Sequence, residues 1–296
     1  MTSQFKLDHW ARELVVDPLS KQPLIISEDE SHLLSPYGRK YPIVNGIYDL
    51  RLLNNEITRD QKLWKKGQHH YEEWSHNLAV HDHDQNYFAE IEGVKEVYDD
   101  ITIEGDCLDV GGYQGRLRRF LAPGQKYVTC DPFSNVFDNI SKQSNLIKAY
   151  PFLLGPVNFV CCEAEFLPFK SSCFDTVHMR SIIDHLLNPE LAINEAYRVL
   201  RDNGNLIVGL YVIGGKNGKV SINRYIKELL KDEILPALGV HQFKDHHVWH
   251  PTFKELTELI SDCGFKIVKV HWQKGFQDTV CYIKATKQDG LTRRCT

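Results

Sequence analysis

Residues 106–131 read DCLDVGGYQGRLRRFLAPGQKYVTCD. An apolar run, Cys107-Leu108-Asp109-Val110, breaks into Gly111-Gly112-Tyr113-Gln114-Gly115, and a second apolar run ends on Asp131. Strand, glycine loop and a second strand with a terminal carboxylate describe a nucleotide pocket at the edge of a parallel sheet. Glycines let the backbone turn sharply and approach a ligand without a Cβ in the way. A carboxylate at the tip of the next strand can accept both hydroxyls of a ribose. The glycine loop alone has little specificity; the order of the downstream segments supplies the rest.

After Asp131 come Glu163-Ala164-Glu165-Phe166-Leu167-Pro168-Phe169, then Phe174-Asp175-Thr176-Val177-His178-Met179, then Asp184-His185. Residues 195–208, EAYRVLRDNGNLIV, close the run. In this order the segments resemble class I S-adenosylmethionine-dependent methyltransferases, especially the small-molecule group of ubiquinone and menaquinone C-methyltransferases. The resemblance covers roughly residues 99–287. It implies an α/β fold: a Rossmann-like seven-stranded sheet with helices on both faces, and S-adenosyl-L-methionine as cofactor.

Composition narrows the reading. With 296 residues, 42% hydrophobic and 25% charged, the chain has room for one large domain and a small one. No segment reaches the ~20 apolar residues of a membrane span, and residues 1–14 carry charges where a signal peptide has its apolar run. A cytoplasmic protein without membrane contact is expected. The eight cysteines start at Cys107, and the neighbours Cys161 and Cys162 sit in an apolar strand, which suits reduced, packed thiols. A formal net charge of −4 offers no basic footprint and disfavours nucleic acid as a partner. Oligomeric state is not readable.

Residues 1–52 read as a separate, small β-rich domain of short strands and turns. The segment resembles the zinc-ribbon-like activator domain of certain RNA and protein methyltransferases. That family has a Cys-Pro-x-Cys knuckle where this chain has Asp17-Pro18-Leu19-Ser20, and a further cysteine near Ser35. Since a structural zinc site needs four nitrogen or sulfur ligands, the domain is expected to fold without metal. The resemblance implies that it shapes or covers the catalytic domain; a plain structural appendage is the alternative.

Residues 53–98 read as a helical linker or lid, with Tyr71 and Trp74 on its inner face or merely docking it to the core. Its histidines, His69, His70, His76, His81 and His83, are not taken as metal ligands, because abundance is not convergence. Alternating strands and helices then imply a parallel sheet: strands near 106–110, 127–131, 157–162, 174–179 and 205–211, and a helix over 188–201. Thr252 and Glu255 form a capping box for a helix that ends at Cys263-Gly264. Strands over 265–272 and 276–286 match the final antiparallel pair of the family sheet, and 288–296 is a flexible tail.

Site roles follow from the resemblance. Gly111, Gly112 and Gly115 pass under the methionine part of the cofactor, and Asp109 orients its amino group. Asp131 binds the ribose, Pro132 and Phe133 flank the adenine, and Glu163, with neighbours Ala164 and Glu165, stands where the family has an adenine-binding aspartate. Tyr113 replaces the usual middle glycine; its ring either fills part of the pocket or lies over the ligand. His185, with Asp184 beside it, is the first candidate for a catalytic base, since imidazole titrates near neutrality; its alternative role is to hold the loop. His246, His247 and His250 read as a substrate-side loop and not as a metal site. Residues 214–239, with Tyr225, Lys227 and Lys231, read as an acceptor-binding cap, and Lys216 and Lys219 either as contacts for an anionic acceptor or as plain solvated surface.

The expected activity is methyl transfer to a small-molecule or saccharide-like acceptor, at oxygen, nitrogen or carbon. An RNA or protein methyltransferase is the alternative that the N-terminal resemblance suggests. A noncatalytic cofactor-binding scaffold is the one that Tyr113 and the missing cysteines suggest.

Overall fold

The frame that carries the pocket is built from three strands that are buried along their whole length: β5 (Cys107–Val110), β6 (Tyr127–Asp131) and β7 (Phe159–Cys161). The computed structural model describes residues 7–52, 64–70, 72–73, 82–218, 230 and 247–288. Parallel strands are apolar throughout when helices cover both sheet faces. Here β5 pairs with β6 and with β8 (Phe174–Arg180), and β6 pairs with β7, all in parallel. Beyond β8 lies β9 (Leu200–Tyr211); then the order reverses through β11 (Val280–Lys287), antiparallel to β9 and to the edge strand β10 (Phe265–Trp272).

Four further strands extend the sheet at its other edge: β1 (Ile25–Ile26), β2 (His32–Leu34), β3 (Lys40–Val44) and β4 (Ile47–Asp49). The spatial order is β1-β2-β3-β4-β7-β6-β5-β8-β9-β11-β10. The N-terminal strands therefore do not stand apart as the separate unit expected from sequence. Tyr48 and Asp49 of β4 pair in parallel with Val160 and Cys161 of β7, and the Leu50 N–H donates to the Cys161 carbonyl at 2.8 Å. Leu7, Ala11, Tyr48 and Leu50 are buried in the same apolar cluster as Leu108, Val160 and Val177. At the position of the family's first knuckle cysteine, the Asp17 Oδ1 accepts the N–H groups of Leu19 and Ser20 at 2.9 and 2.7 Å, and its Oδ2 accepts the Tyr41 hydroxyl at 3.1 Å. Hydrogen bonds alone close this turn among the described residues.

The helices α1 (His9–Leu14), α2 (Tyr87–Asp100), α3 (Ser144–Ala149), α4 (Pro189–Val199) and α5 (Phe253–Asp262) pack on the sheet. Strand alternation decides which helix each side chain meets. Leu108 and Val110 share an apolar cluster with Ala192 and Ile193 of α4 and Leu256 of α5. Cys107 shares the other with Val94 and Val97 of α2 and Leu146 of α3. The capping box forms as its spacing predicts: the Glu255 N–H donates to the Thr252 hydroxyl, and the Thr252 N–H donates to the Glu255 carboxylate.

Three boundaries differ from expectation. Helix α4 stops at Val199, and β9 starts at once with Leu200 opposite Phe174, bulging over residues 201–204 before Asn205 meets Thr176. The last hairpin turns over residues 273–279, so β11 starts at Val280 and not at 276. The residues after the glycine loop form only a short 3-10 turn, Arg116–Phe120, where the fold class leads one to expect a full crossover helix. Among the described residues, no helix is long and apolar enough to cross a membrane.

Because residues 7–52 and the sheet share one core, the described chain should unfold as a unit. Leu50→Ala, at a position with 0% exposure, should cost about 2–4 kcal/mol, read as a shifted midpoint in a denaturant titration followed by both fluorescence and circular dichroism. Two separated transitions would argue against the shared core.

Candidate functional site

At the carboxyl ends of β5, β6 and β7 the chain leaves a cavity of about 260 Å3, and each of the three strand-end groups lies on its wall. Gly111, at the end of β5, has φ +65°, and a Cβ there would run into Ile182 across the cavity rim. Gly112 lies so close to the Asp109 carboxylate and the Thr129 hydroxyl that a Cβ would collide with both. The loop's turn and its depth thus rest on consecutive glycines.

Asp131, at the tip of β6, organises the loop. Its Oδ2 accepts the Tyr113 N–H at 3.1 Å and its Oδ1 accepts the Phe133 N–H at 3.0 Å. Burial pushes its carboxyl up to about 7; the charge of Asp109 adds to the shift, while the two backbone donors oppose it. Tyr113 takes the left-handed conformation, φ +51°, in spite of its side chain. Its ring leans on the far side of the loop, against the apolar cluster that contains Tyr87 and Tyr150, with the Arg116 guanidinium 5.8 Å from its centroid. It lines the cavity without closing it.

Glu163, following β7, is buried and accepts the Leu52 N–H at 3.0 Å. Next to Leu52, Arg51 holds Asp49 through two nitrogens and donates from Nη1 to the Pro132 carbonyl at 3.1 Å. The N-terminal segment therefore braces both groups assigned to the adenine end. Sequence reading placed a domain boundary at residue 52 and missed these two residues. Ala164 lies on the wall as expected. Glu165 turns back to accept the N–H groups of Leu187 and Asn188 at 2.9 and 3.2 Å, which ties this loop to the turn holding His185; burial raises its carboxyl pKa.

His185 lines the cavity with Ile182 and Leu186, and Asp184 precedes it on the same 3-10 turn. Asp184 Oδ1 is 3.7 Å from His185 Nε2 and its Oδ2 is 3.5 Å from His247 Nε2. Residues 247–250 are irregular chain ahead of α5, as the cap at Thr252 requires, and the His247 ring stacks on His185 with centroids 4.3 Å apart. Over the cavity lie Trp64 and Gln68 of a helical stretch at residues 64–70, and the Trp64 indole donates to the His185 carbonyl at 3.1 Å. The i, i+4 spacing of Trp64 and Gln68 was the available signal. Tyr71, Trp74, His76, His81, Lys219, Tyr225, Lys227, Lys231 and His246 lie outside the described residues.

Asp109 is not on this wall. Its Oδ2 accepts the Tyr127 hydroxyl at 2.6 Å and its Oδ1 accepts His178 Nδ1–H at 2.7 Å, while the Tyr98 hydroxyl meets His178 Nε2 at 3.0 Å. Burial holds both phenols well above their ordinary pKa, so they remain donors. This network borders a second cavity of about 270 Å3 beneath the glycine loop, together with Arg116 and Arg180. Gly115 is on neither wall; its left-handed φ of +76° leads into the 3-10 turn.

A family model described as a methyltransferase domain matches residues 108–208. The ubiquinone/menaquinone biosynthesis C-methyltransferase UbiE of Shewanella pealeana is 28% identical over 125 residues, 39% of this chain and 48% of that protein. Its Klebsiella pneumoniae counterpart is 28% identical over 130 residues, 40% of this chain and 49% of that protein. The chain spans about half the length of the curated relatives it matches. Among solved structures, a Haloferax volcanii complex of the Trm112 methyltransferase activator with a candidate methyltransferase aligns with TM-score 0.51 and 11% identity, over 75% of this chain and 97% of that one, a likeness of fold. The cavity suits the cofactor of such domains: Asp131 offers a buried carboxylate at the strand tip, and Gly111 on the wall has no room for a Cβ, whereas Gly112 borders only the second cavity. Residues 108–208 match a methyltransferase domain, and the methyl donor that this match implies is S-adenosylmethionine.

Proposed function

We propose that this protein transfers a methyl group from S-adenosylmethionine to a small-molecule or saccharide-like acceptor. The observation that carries the reading is that Asp131, Glu163 and His185 line one and the same cavity. Bound there, S-adenosylmethionine would supply a methyl group on a positively charged sulfur, open to displacement by a nucleophile. Asp131 would accept the ribose hydroxyls. Glu163 would accept the adenine amino group, with Pro132 and Ala164 against the ring. Gly111 leaves the methionine part room to pass. Trp64 adds an apolar ring to the cavity lining, and an apolar, partly enclosed site helps to exclude water and to hold the acceptor beside the methyl group. His185 and Asp184 stand at the acceptor end, where they act on the acceptor's proton. The formal net charge of −4 supports a small acceptor over nucleic acid.

The Asp131 carboxyl gives this reading a pH signature. With a pKa of about 7 in the folded protein, it is mostly neutral at pH 6 and mostly ionised at pH 8. Two hydroxyls donating to it favour the ionised form, so binding lowers its pKa and releases a proton. Calorimetric titration with S-adenosylhomocysteine should show affinity rising from pH 6 to pH 8, and a proton release near pH 6.5 that varies with buffer ionisation enthalpy. Asp131→Asn should bind about tenfold or more weakly and show neither effect. The sign for stability is opposite to that of a salt-bridged carboxylate. The unfolded chain ionises near the ordinary value of 3.8 and the folded chain near 7, so the native protein loses stability between those pH values and Asp131→Asn does not. A pH-independent affinity would count against the assignment.

Arg51→Ala removes a donor from the Pro132 carbonyl and leaves the cavity wall otherwise intact. A hydrogen bond of this kind is worth about 0.5–1.5 kcal/mol, so cofactor affinity should fall roughly threefold to tenfold. Unchanged affinity would mean that the N-terminal segment braces the fold but not the adenine end.

A further inference from the structure

We infer that a third cavity, between the N-terminal strands and the adenine end, binds a small organic anion, a phosphate or carboxylate on an apolar body, and that its occupancy strengthens cofactor binding through Arg51. The site stands on the geometry of this chain; the coupling rests on the cofactor reading above.

The cavity measures about 400 Å3, within the range that small-molecule sites occupy. It is formed by β3, the turn that follows Asp17 and the chain that leaves β4, and Phe166 lines it from the 3-10 turn Ala164–Phe166. The same short turn thus serves both sites, with Ala164 on the cofactor cavity and Phe166 on this one.

The charge of the lining runs against that of the molecule. The chain has a formal net charge of −4, yet Arg39, Lys40 and Arg51 line this cavity with Asp49 as the single carboxylate. Both oxygens of Asp49 accept from Arg51, from Nε at 2.8 Å and from Nη2 at 2.6 Å, so Arg39 and Lys40 meet no free carboxylate on the lining. Arg39 stands against the hydroxyl of Tyr41, which is buried and donates to Asp17. Arg51 spends one proton each from Nε and Nη2 on Asp49 and one from Nη1 on the Pro132 carbonyl. A guanidinium has five N–H groups, which leaves two for a ligand oxyanion without displacing either partner. Phosphates and carboxylates match such paired donors. Leu19, Pro42 and Phe166 give the rest of the ligand an apolar surface, and Leu19, 49% exposed, gains cover from it.

The link to the cofactor is made of the same residues. Arg51 and Leu52 line this cavity, and they hold the Pro132 carbonyl and the Glu163 carboxylate at the adenine end. An anion on Arg51 adds a third anchor to a long side chain whose ordering costs rotamer freedom. The cofactor then meets a brace that is already fixed and no longer bears that cost. Coupling of this kind is reciprocal, so the cofactor strengthens anion binding by the same factor.

The test is a calorimetric titration of the full-length protein with phenyl phosphate, and with phenol and inorganic phosphate as its two parts. We expect one equivalent of phenyl phosphate to bind and each part to bind more weakly. Arg39→Gln and Lys40→Gln should each weaken phenyl phosphate binding about fivefold or more, while Lys95→Gln, an exposed lysine of α2, should not. Neither Arg39 nor Lys40 lines the cofactor cavity, so native S-adenosylhomocysteine affinity in these two variants shows that they fold. Saturating phenyl phosphate should raise the S-adenosylhomocysteine affinity of the native protein about fivefold, and Arg51→Ala should abolish that gain. No phenyl phosphate binding at millimolar concentration, or binding that survives both substitutions, overturns the site. Either part binding as tightly as the whole overturns the ligand class, and S-adenosylhomocysteine affinity that phenyl phosphate leaves unchanged overturns the coupling. Native protein without S-adenosylhomocysteine affinity under either condition overturns the cofactor reading and the coupling with it, while the direct titration still decides the site.

Discussion

One buried carboxylate ties together the two loops that make the cavity. Asp131 accepts the backbone N–H of Tyr113 from the loop after β5 and that of Phe133 from the loop after β6. Tyr113 occupies a backbone conformation that costs a side-chain-bearing residue roughly 1–2 kcal/mol, and this hydrogen bond helps hold it there. The same burial that makes the hydrogen bonds strong makes the charge unwelcome, which is why the carboxyl titrates near neutrality. Two backbone donors do not offset that burial, and a diol would supply two more. The tension resides in the cavity itself, so ligand binding and loop order draw on the same interaction.

The brace for this arrangement comes from the other end of the chain. Strand β7 is only three residues long and would be the exposed edge of the sheet if β4 did not pair with it. Edge strands with open hydrogen-bonding groups are a liability. Covering this one in parallel also delivers Arg51 and Leu52 to Pro132 and Glu163. The cost of fusing four small strands to the sheet is offset by a shared core and by two fixed residues at the adenine end. The Asp17 carboxylate closes the first turn of the segment, and the segment's remaining stability comes from the sheet it joins.

What the sequence made legible was what local chemistry decides. Glycines, strand-end carboxylates and the Thr252 capping box are short-range signals; the capping box forms, and Asp131, Glu163, Gly111 and His185 line one cavity. Asp109 was assigned by motif position, but strand alternation puts it on the face of Cys107, beside His178 and under α2, with its carboxylate already engaged. Parity along β5 contained that information; motif matching overrode it. The joining of β4 to β7 was not legible, because short strands carry no local mark of their pairing partner. The meeting of His247 with His185 was not legible either, since it depends on how residues 247–250 return to the sheet end.

The loop's departure from the family pattern is explained by where the steric demand falls. Gly111 and Gly112 have no room for a Cβ, the first against Ile182 and the second against Asp109 and Thr129, while position 113 points its side chain past the loop toward Arg116. A tyrosine there needs a left-handed backbone and a place for its ring, and the structure provides both: the Asp131 carboxylate fixes the first, and the apolar cluster around Tyr87 and Tyr150 supplies the second. The ring forms part of the partition between the two cavities, with Gly111 and Ser181 on both sides of it. A residue that from sequence could have closed the pocket is instead part of the wall that shapes it, and its presence leaves the cofactor side of the loop open.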